Sequence, residues 1–249
     1  MDCVTTSPAN VVALDLSLLR GNVKSPLKAR LLWVSAIYSS AASWAQVKAK
    51  LAEEAALILH ESSAISFGSF KLTSGLDSPY YIDMRLIPSY PEKFNKICEI
   101  YCKLVKEEVE DFDKVAGVPT AGIPFATLVA FKLKKPFIYV RKRLRVHGQL
   151  KTIEGVLRRG EKVLLVDDLV STGDSALKTV EAVREAGGVV NDVVVLVDRE
   201  QGAEELLSKA GVRLHALMKV TEAIDILLKK GLLSRQAYDI VINYVKARG

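Results

Sequence analysis

Cysteine, histidine and tryptophan are scarce: three, three and two among 249 residues. Cys3, Cys98 and Cys102 have no spacing that reads as a disulfide framework, so a reducing, cytoplasmic setting is expected. Cys98 and Cys102 fall four apart on an expected helix. Two thiols are too few ligands for a metal centre, which leaves helix packing as their reading. Five asparagines and four glutamines are few for this length, a composition that points to a thermophile. No apolar run makes a membrane span, since residues 31–47 are interrupted by Ser, Tyr and Trp. No basic leader precedes an apolar run near Met1, so no secretory signal is expected. No Ser-His-Asp spacing points to covalent catalysis, and His60 and His215 read as structural. Residues 1–46 carry only two acids, Asp2 and Asp15, and no clean periodicity. They read as an extension with a partly ordered helix between Leu27 and Val47, or as sequence upstream of the true start.

What the chain does carry is concentrated at Lys162–Ser175. Val163–Val166 form a short β-branched run that reads as a buried strand. Two acids follow, Asp167 and Asp168, then Leu169-Val170 and the loop Ser171-Thr172-Gly173-Asp174-Ser175. Ala176–Ala186 read as a helix with Leu177, Val180 and Val183 on one face and Gly187-Gly188 at its end. A loop that opens a helix presents unpaired N–H groups and the positive end of the helix dipole, so it suits a phosphate. Ser171, Thr172 and Ser175 add hydroxyls, and Gly173 permits close approach. The adjacent acids suit the hydroxyls of a sugar, or a hydrated magnesium ion. A bare Asp-Asp at a strand end reads equally as a helix cap; the hydroxyl-glycine loop favours the ligand.

Elsewhere strands and helices alternate. A helix is expected over 45–60 with Val47, Leu51, Ala55, Ile58 and Leu59 on its apolar face. A hairpin joins 67–72 to 80–84, a helix runs from Pro91 to Val109, and strands lie at 115–118, 137–140, 192–197 and 213–217. Helices fill 124–133 and 204–209, and two more close the chain at 220–230 and 234–246. This alternation implies an α/β fold, a mainly parallel sheet with helices on both faces. Ligands of such sheets gather at the carboxyl ends of the strands. Thr120, Arg141, Asp167 and Arg199 each fall just after a strand. The net charge is +6, but the basic residues cluster at Arg141–Lys151. That favours a small anionic substrate over nucleic acid or a membrane.

The segment 162–175 resembles the phosphoribosyl-pyrophosphate (PRPP) motif of the type I phosphoribosyltransferases. The resemblance covers the chain from about Ala45 to its end. It implies that family's fold: a central mainly parallel sheet, a small N-terminal hood and a mobile catalytic loop. The expected organisation is an extension over 1–46 and a catalytic domain over 47–249, with hood 47–85 and core 86–249. It also implies that Asp167 and Asp168 contact ribose and that Leu169 to Ser175 wrap the 5′-phosphate. The string Phe67-Gly68-Ser69-Phe70-Lys71-Leu72-Thr73-Ser74-Gly75, with Ser78-Pro79-Tyr80-Tyr81-Ile82-Asp83, is similar to the hood of the orotate-specific members, where it covers the base. Gly117–Pro124 matches the pyrophosphate loop.

By motif position, the basic loop would neutralise pyrophosphate through Arg141, Lys142, Arg145 and His147. The catalytic set implied is Arg145, His147, Asp167 and Asp168. Ser171 and Arg199 would grip orotate. The expected cofactor is Mg²⁺, held mainly by the substrate with no dedicated protein ligands, and the expected assembly is a homodimer sharing the catalytic loop across its interface. The chain departs from the family pattern at Arg145, Ala121 and Thr73, positions often occupied by lysine. Arginine is a planar fork and lysine a point charge, so the Arg145 exchange is not neutral. The expected activity transfers 5-phosphoribosyl from PRPP to N1 of orotate, in pyrimidine biosynthesis. The alternatives are a phosphoribosyltransferase for another base, or a PRPP-sensing regulator that binds nucleic acid.

Overall fold

A computed structural model describes residues 26–71, 75, 77–141 and 152–247, with side chains from residue 43 onward. The chain divides into two compact units, residues 1–50 and 51–249. Helix α1 (Pro26–Glu61) begins at a proline, whose missing N–H costs nothing at a helix start. It continues unbroken through residue 46, the expected end of the extension. Leu51, Ala55, Ile58 and Leu59 are buried along one stripe of α1, while Val47 is 40% exposed.

The second unit opens with an antiparallel hairpin of β1 (Ile65–Lys71) and β2 (Asp77–Ile82). Phe67 pairs with Tyr80 and Phe70 with Ser78, so a bulge at Gly68-Ser69 shifts the register. A 3₁₀ helix (Met84–Ser89), absent from the sequence reading, leads into α2 (Pro91–Glu108). Pro88 inside that segment excludes a regular α-helix, whereas a tight turn accommodates it.

The main sheet contains β3 (Lys114–Gly117), β4 (Phe137–Val140), β5 (Ile153–Glu154), β6 (Val163–Val166), β7 (Leu169–Val170), β8 (Asp192–Asp198) and β9 (Arg213–Lys219). Strand β4 pairs with β3, β3 with β6, β6 with β8, and β8 with β9, all parallel; only β5, beside β4, is antiparallel. Strand β7 continues along the same edge of β8 as β6. The connecting helices are α3 (Gly122–Leu133), α4 (Asp174–Glu185) and α5 (Ala203–Lys209), and α6 (Val220–Lys229) and α7 (Arg235–Lys246) close the chain. Side chains alternate across the sheet. Ala116, Ile138, Leu165, Val193 and Val195 pack with Val180 and Val183 of α4 and Leu207 of α5. Their neighbours Val115, Leu164, Val166, Val194 and Leu196 are equally buried and face the opposite layer, where α3 lies on β3 and α2 on β8. Every residue of β6 and β8 is buried, which explains why these strands read as unbroken apolar runs.

Candidate active site

The parallel register brings the ends of β3, β6 and β8 to one edge of the sheet. Asp167 and Asp168 lie between β6 and β7, anchored to β8 on both sides. Asp167 N–H donates to Val194 O at 3.0 Å, and Leu196 N–H donates to Asp168 O at 3.1 Å. Both acids are buried, at 7% and 8% exposure. One Asp167 carboxylate oxygen accepts from Asp168 N–H at 3.0 Å. Burial first, and the neighbouring Asp168 charge second, push the Asp167 carboxyl well above the ordinary carboxylate range. Burial likewise raises Asp168. Burial and mutual repulsion oppose ionisation of the two carboxyls, a penalty that a cation would relieve.

Beside the acids, α4 begins at Asp174 after Gly173, whose φ of 90° is left-handed. A Cβ at Gly173 would also lie 3.2 Å from Ala203 Cα, so turn and packing both require glycine. No side chain caps the start of α4, leaving its amides to face the loop. Thr172 Oγ1 donates to an Asp174 carboxylate oxygen at 2.6 Å, turning that acid onto the loop's own hydroxyl. Ser175 is exposed and Ser171 partly so. Across from this loop stands Pro119-Thr120-Ala121, where the Pro119–Thr120 peptide is cis. Gly122 starts α3 directly against the acids: a Cβ there would meet an Asp167 carboxylate oxygen at 2.6 Å and Val166 O at 2.8 Å. The loop after β3 and the run Asp167–Ala176 together line a cavity of about 330 Å³. A larger cavity, about 580 Å³, lies between the hairpin and α7. Its lining includes Phe67, Pro79, Ile240 and Tyr244, and Asp77 is its one charged residue. The smaller cavity holds the paired acids, the hydroxyls and the helix N-terminus, and is therefore the candidate site.

Residues 92–214 match the phosphoribosyl transferase domain family. The chain is 42% identical over 193 residues to an orotate phosphoribosyltransferase of Staphylothermus marinus, covering 78% of this chain and 94% of that protein. It is 40% identical to an orotate phosphoribosyltransferase of Sulfolobus acidocaldarius, covering 75% of this chain and 93% of that one. The chain belongs to the orotate phosphoribosyltransferase family. Among solved structures, orotate phosphoribosyltransferase from Aeropyrum pernix superposes with a TM-score of 0.64 at 36% identity, over 72% of this chain and 99% of that one. UMP synthase of Leishmania donovani gives a TM-score of 0.72 at 33% identity. This chain spans 42% of that longer protein.

Set against the family's motifs, the residues singled out in the sequence fall into three groups. Asp167 to Ser175 share one cavity with Thr120 and Ala121. Arg199 follows β8 and is not part of that cavity's lining, but its backbone N–H donates to Val170 O at 2.9 Å, which ties it to the phosphate loop. Asp198, its neighbour in sequence, accepts from Glu200 N–H at 2.8 Å. Arg199 Nε donates to Tyr80 Oη at 3.2 Å, and its Nη2 is buried without a hydrogen-bond partner. Arg141 follows β4 and pairs with Glu154 of β5, and it is not part of the cavity lining. Lys142, Arg145, His147 and Thr73 lie outside the described residues.

Sequence reasoning missed Tyr101. This α2 residue is fully buried, and its hydroxyl donates to Asp167 O at 2.7 Å and Asp168 O at 3.3 Å. A tyrosine on the otherwise apolar face of Ile97, Cys98 and Leu104 was the available signal, because a buried phenol needs a polar partner. Its partner is 66 residues away and left no local trace. The group Tyr81, Asp83 and Arg85 was also missed as a unit. Arg85 donates to Asp83 through Nε at 2.6 Å and through Nη2 at 2.8 Å, and to Tyr81 Oη at 3.0 Å. Cys98 is buried on α2, and Cys102 lies one turn further along. His215 bridges Asp192 and Glu108 and is remote from the cavity lining.

Proposed function

We propose that the chain transfers the 5-phosphoribosyl group of PRPP to N1 of orotate, giving orotidine 5′-monophosphate and pyrophosphate. The observation that carries this is the single cavity that joins two buried acids, a hydroxyl-rich helix start and the loop after β3. Ribose hydroxyls donate to Asp167 and Asp168, whose buried charges lack an ion-pair partner among the described residues. The 5′-phosphate accepts from the amides at the start of α4 and from the hydroxyls of Ser171 and Ser175. Thr172 steadies the loop through Asp174. Holding both substrates in line supplies the orientation that a bimolecular displacement otherwise lacks. As pyrophosphate departs, positive character develops at the ribose C1, and the acidic pair adds negative potential on the ribose side of the cavity.

Orotate is a planar anion with carboxylate and carbonyl acceptors. An Arg199 Nη2 that is buried without an acceptor is matched by such a ligand. Arg141, Lys142, Arg145 and His147 are assigned to pyrophosphate, a role that requires Arg141 to exchange Glu154 for the leaving group. Mg²⁺ would be held mainly by the oxygens of PRPP, and the carboxylates of Asp167 and Asp168 are hard oxygen donors of the kind it accepts. When bound, the ion would neutralise charge on the pyrophosphate. The reading includes a cytoplasmic homodimer, supported by the family's shared catalytic loop and by Cys98 and Cys102, which are not joined in a disulfide. No helix among the described residues is long and apolar enough to cross a membrane.

The test is PRPP-dependent loss of orotate absorbance by the purified protein, with adenine, uracil and hypoxanthine as controls. Turnover confined to orotate is expected. Reaction of another base without orotate would overturn the assignment, and no turnover of any base would point to the regulator.

A further inference from the structure

The base-gripping arginine of this reading is oriented by a residue that neither the motifs nor the family resemblance assigns. Arg199 is the first residue after β8. Its backbone is fixed by Val170, but a long side chain on a fixed backbone still has several rotamers. Among the described residues no carboxylate pairs with it. Its guanidinium instead reaches the hairpin. Nε donates to Tyr80 Oη at 3.2 Å, and Cζ lies 4.9 Å from the centre of the Tyr80 ring. Tyr80 is itself held by packing. It is fully buried in β2, and the Tyr244 ring of α7 meets its ring edge-on at 6.1 Å. Ser78 Oγ donates to Tyr80 O at 2.7 Å. Burial raises the phenol above its ordinary pKa despite the adjacent cation, so the oxygen remains a neutral acceptor.

We propose that Tyr80 is a positioning residue for the pyrimidine: by engaging Nε, it leaves the outer nitrogens of Arg199 as a fork aimed at the base. This rests on the reading of Arg199 as the orotate contact. The geometry divides the guanidinium's donors. One edge is spent on a rigid, uncharged partner that does not neutralise it, and Nη2 is kept without an acceptor. An acid in place of Tyr80 would hold the arginine equally well but would cancel the charge that an anionic ligand needs.

Tyr80→Phe tests this, because it removes the acceptor and keeps the ring. The expected result is a rise of about 3- to 20-fold in the KM for orotate, less than the full worth of a hydrogen bond to a charged group because Tyr80 acts on orotate only through Arg199. The KM for PRPP should change less than twofold. In an Arg199→Ala background the same substitution should have no further effect on orotate. An unchanged orotate KM, an equal rise in both KM values, a protein that does not fold, or a full additive effect in the Arg199→Ala background would each overturn the inference while leaving the activity in place. Failure of the wild-type protein to use orotate would overturn the activity reading and this inference together.

Discussion

Tyr101→Phe isolates one hydroxyl beneath the acidic pair. The ring keeps its packing against Phe125, 6.0 Å between centroids. What is lost is the donor to Asp167 O at 2.7 Å and, more weakly, to Asp168 O at 3.3 Å. The second carbonyl retains Leu196 N–H at 3.1 Å, so the cost falls on the first. Burial and the two neighbouring carboxylates hold the phenol well above its ordinary pKa, so it stays protonated and able to donate. Leaving one buried carbonyl without this donor costs about 1–2 kcal/mol. At about 2–4 °C per kcal/mol for a domain of this size, calorimetry should record a fall in Tm of about 2–8 °C. Because the carbonyls belong to the acids read as ribose contacts, the KM for PRPP should rise severalfold and that for orotate should not. A Tm within 1 °C of wild type, or equal shifts in both KM values, would refute the idea that this hydroxyl supports the acidic pair.

Asp168→Asn and Arg199→Ala should separate the substrates: the first is expected to lower kcat/KM for PRPP by about 10- to 100-fold, the second that for orotate. The Asp168 carboxyl is raised by burial, so its ionisation costs stability as pH climbs above the unfolded value of about 3.9. Asp168→Asn should therefore raise Tm at neutral pH while it impairs turnover, and a lowered Tm would contradict the sign. Gly122→Ala forces a Cβ to 2.6 Å from an Asp167 carboxylate oxygen and 2.8 Å from Val166 O. A loss of about 1–3 kcal/mol by urea unfolding, with weakened PRPP use, is expected. For His215, burial lowers the imidazole pKa, but Glu108 at 3.3 Å and Asp192 at 2.8 Å outweigh it and the net shift is upward. This contribution is complete below about pH 6.5 and is lost as pH rises through the folded-state value, so Tm should decline over that interval. His215→Gln should flatten the decline, and an unaltered pH profile would exclude the triad as its source.

The sequence by itself determined the alternation of elements, because period and punctuation are local properties. The interiors of β6 and β8, residues 163–166 and 193–197, are unbroken apolar runs. Pro91 starts α2, and Gly173 sits where the turn into α4 needs a positive φ. It also determined the phosphate loop, since acids, hydroxyls, glycine and helix start are contiguous. Short elements escaped it. The two residues of β7 and the two of β5 carry no period, and the 3₁₀ helix has a proline in its middle.

Tertiary structure decided the long-range partners. The Arg199 side chain crosses to Tyr80, 119 residues away. Tyr101 reads as core and proves to hold up the acids. Arg141 is engaged with Glu154. These pairings arise because folding packs helices, hairpin and sheet together, and a buried donor must find an acceptor whatever its sequence separation. Local chemistry specified the phosphate loop, and packing alone specified which side chains orient it.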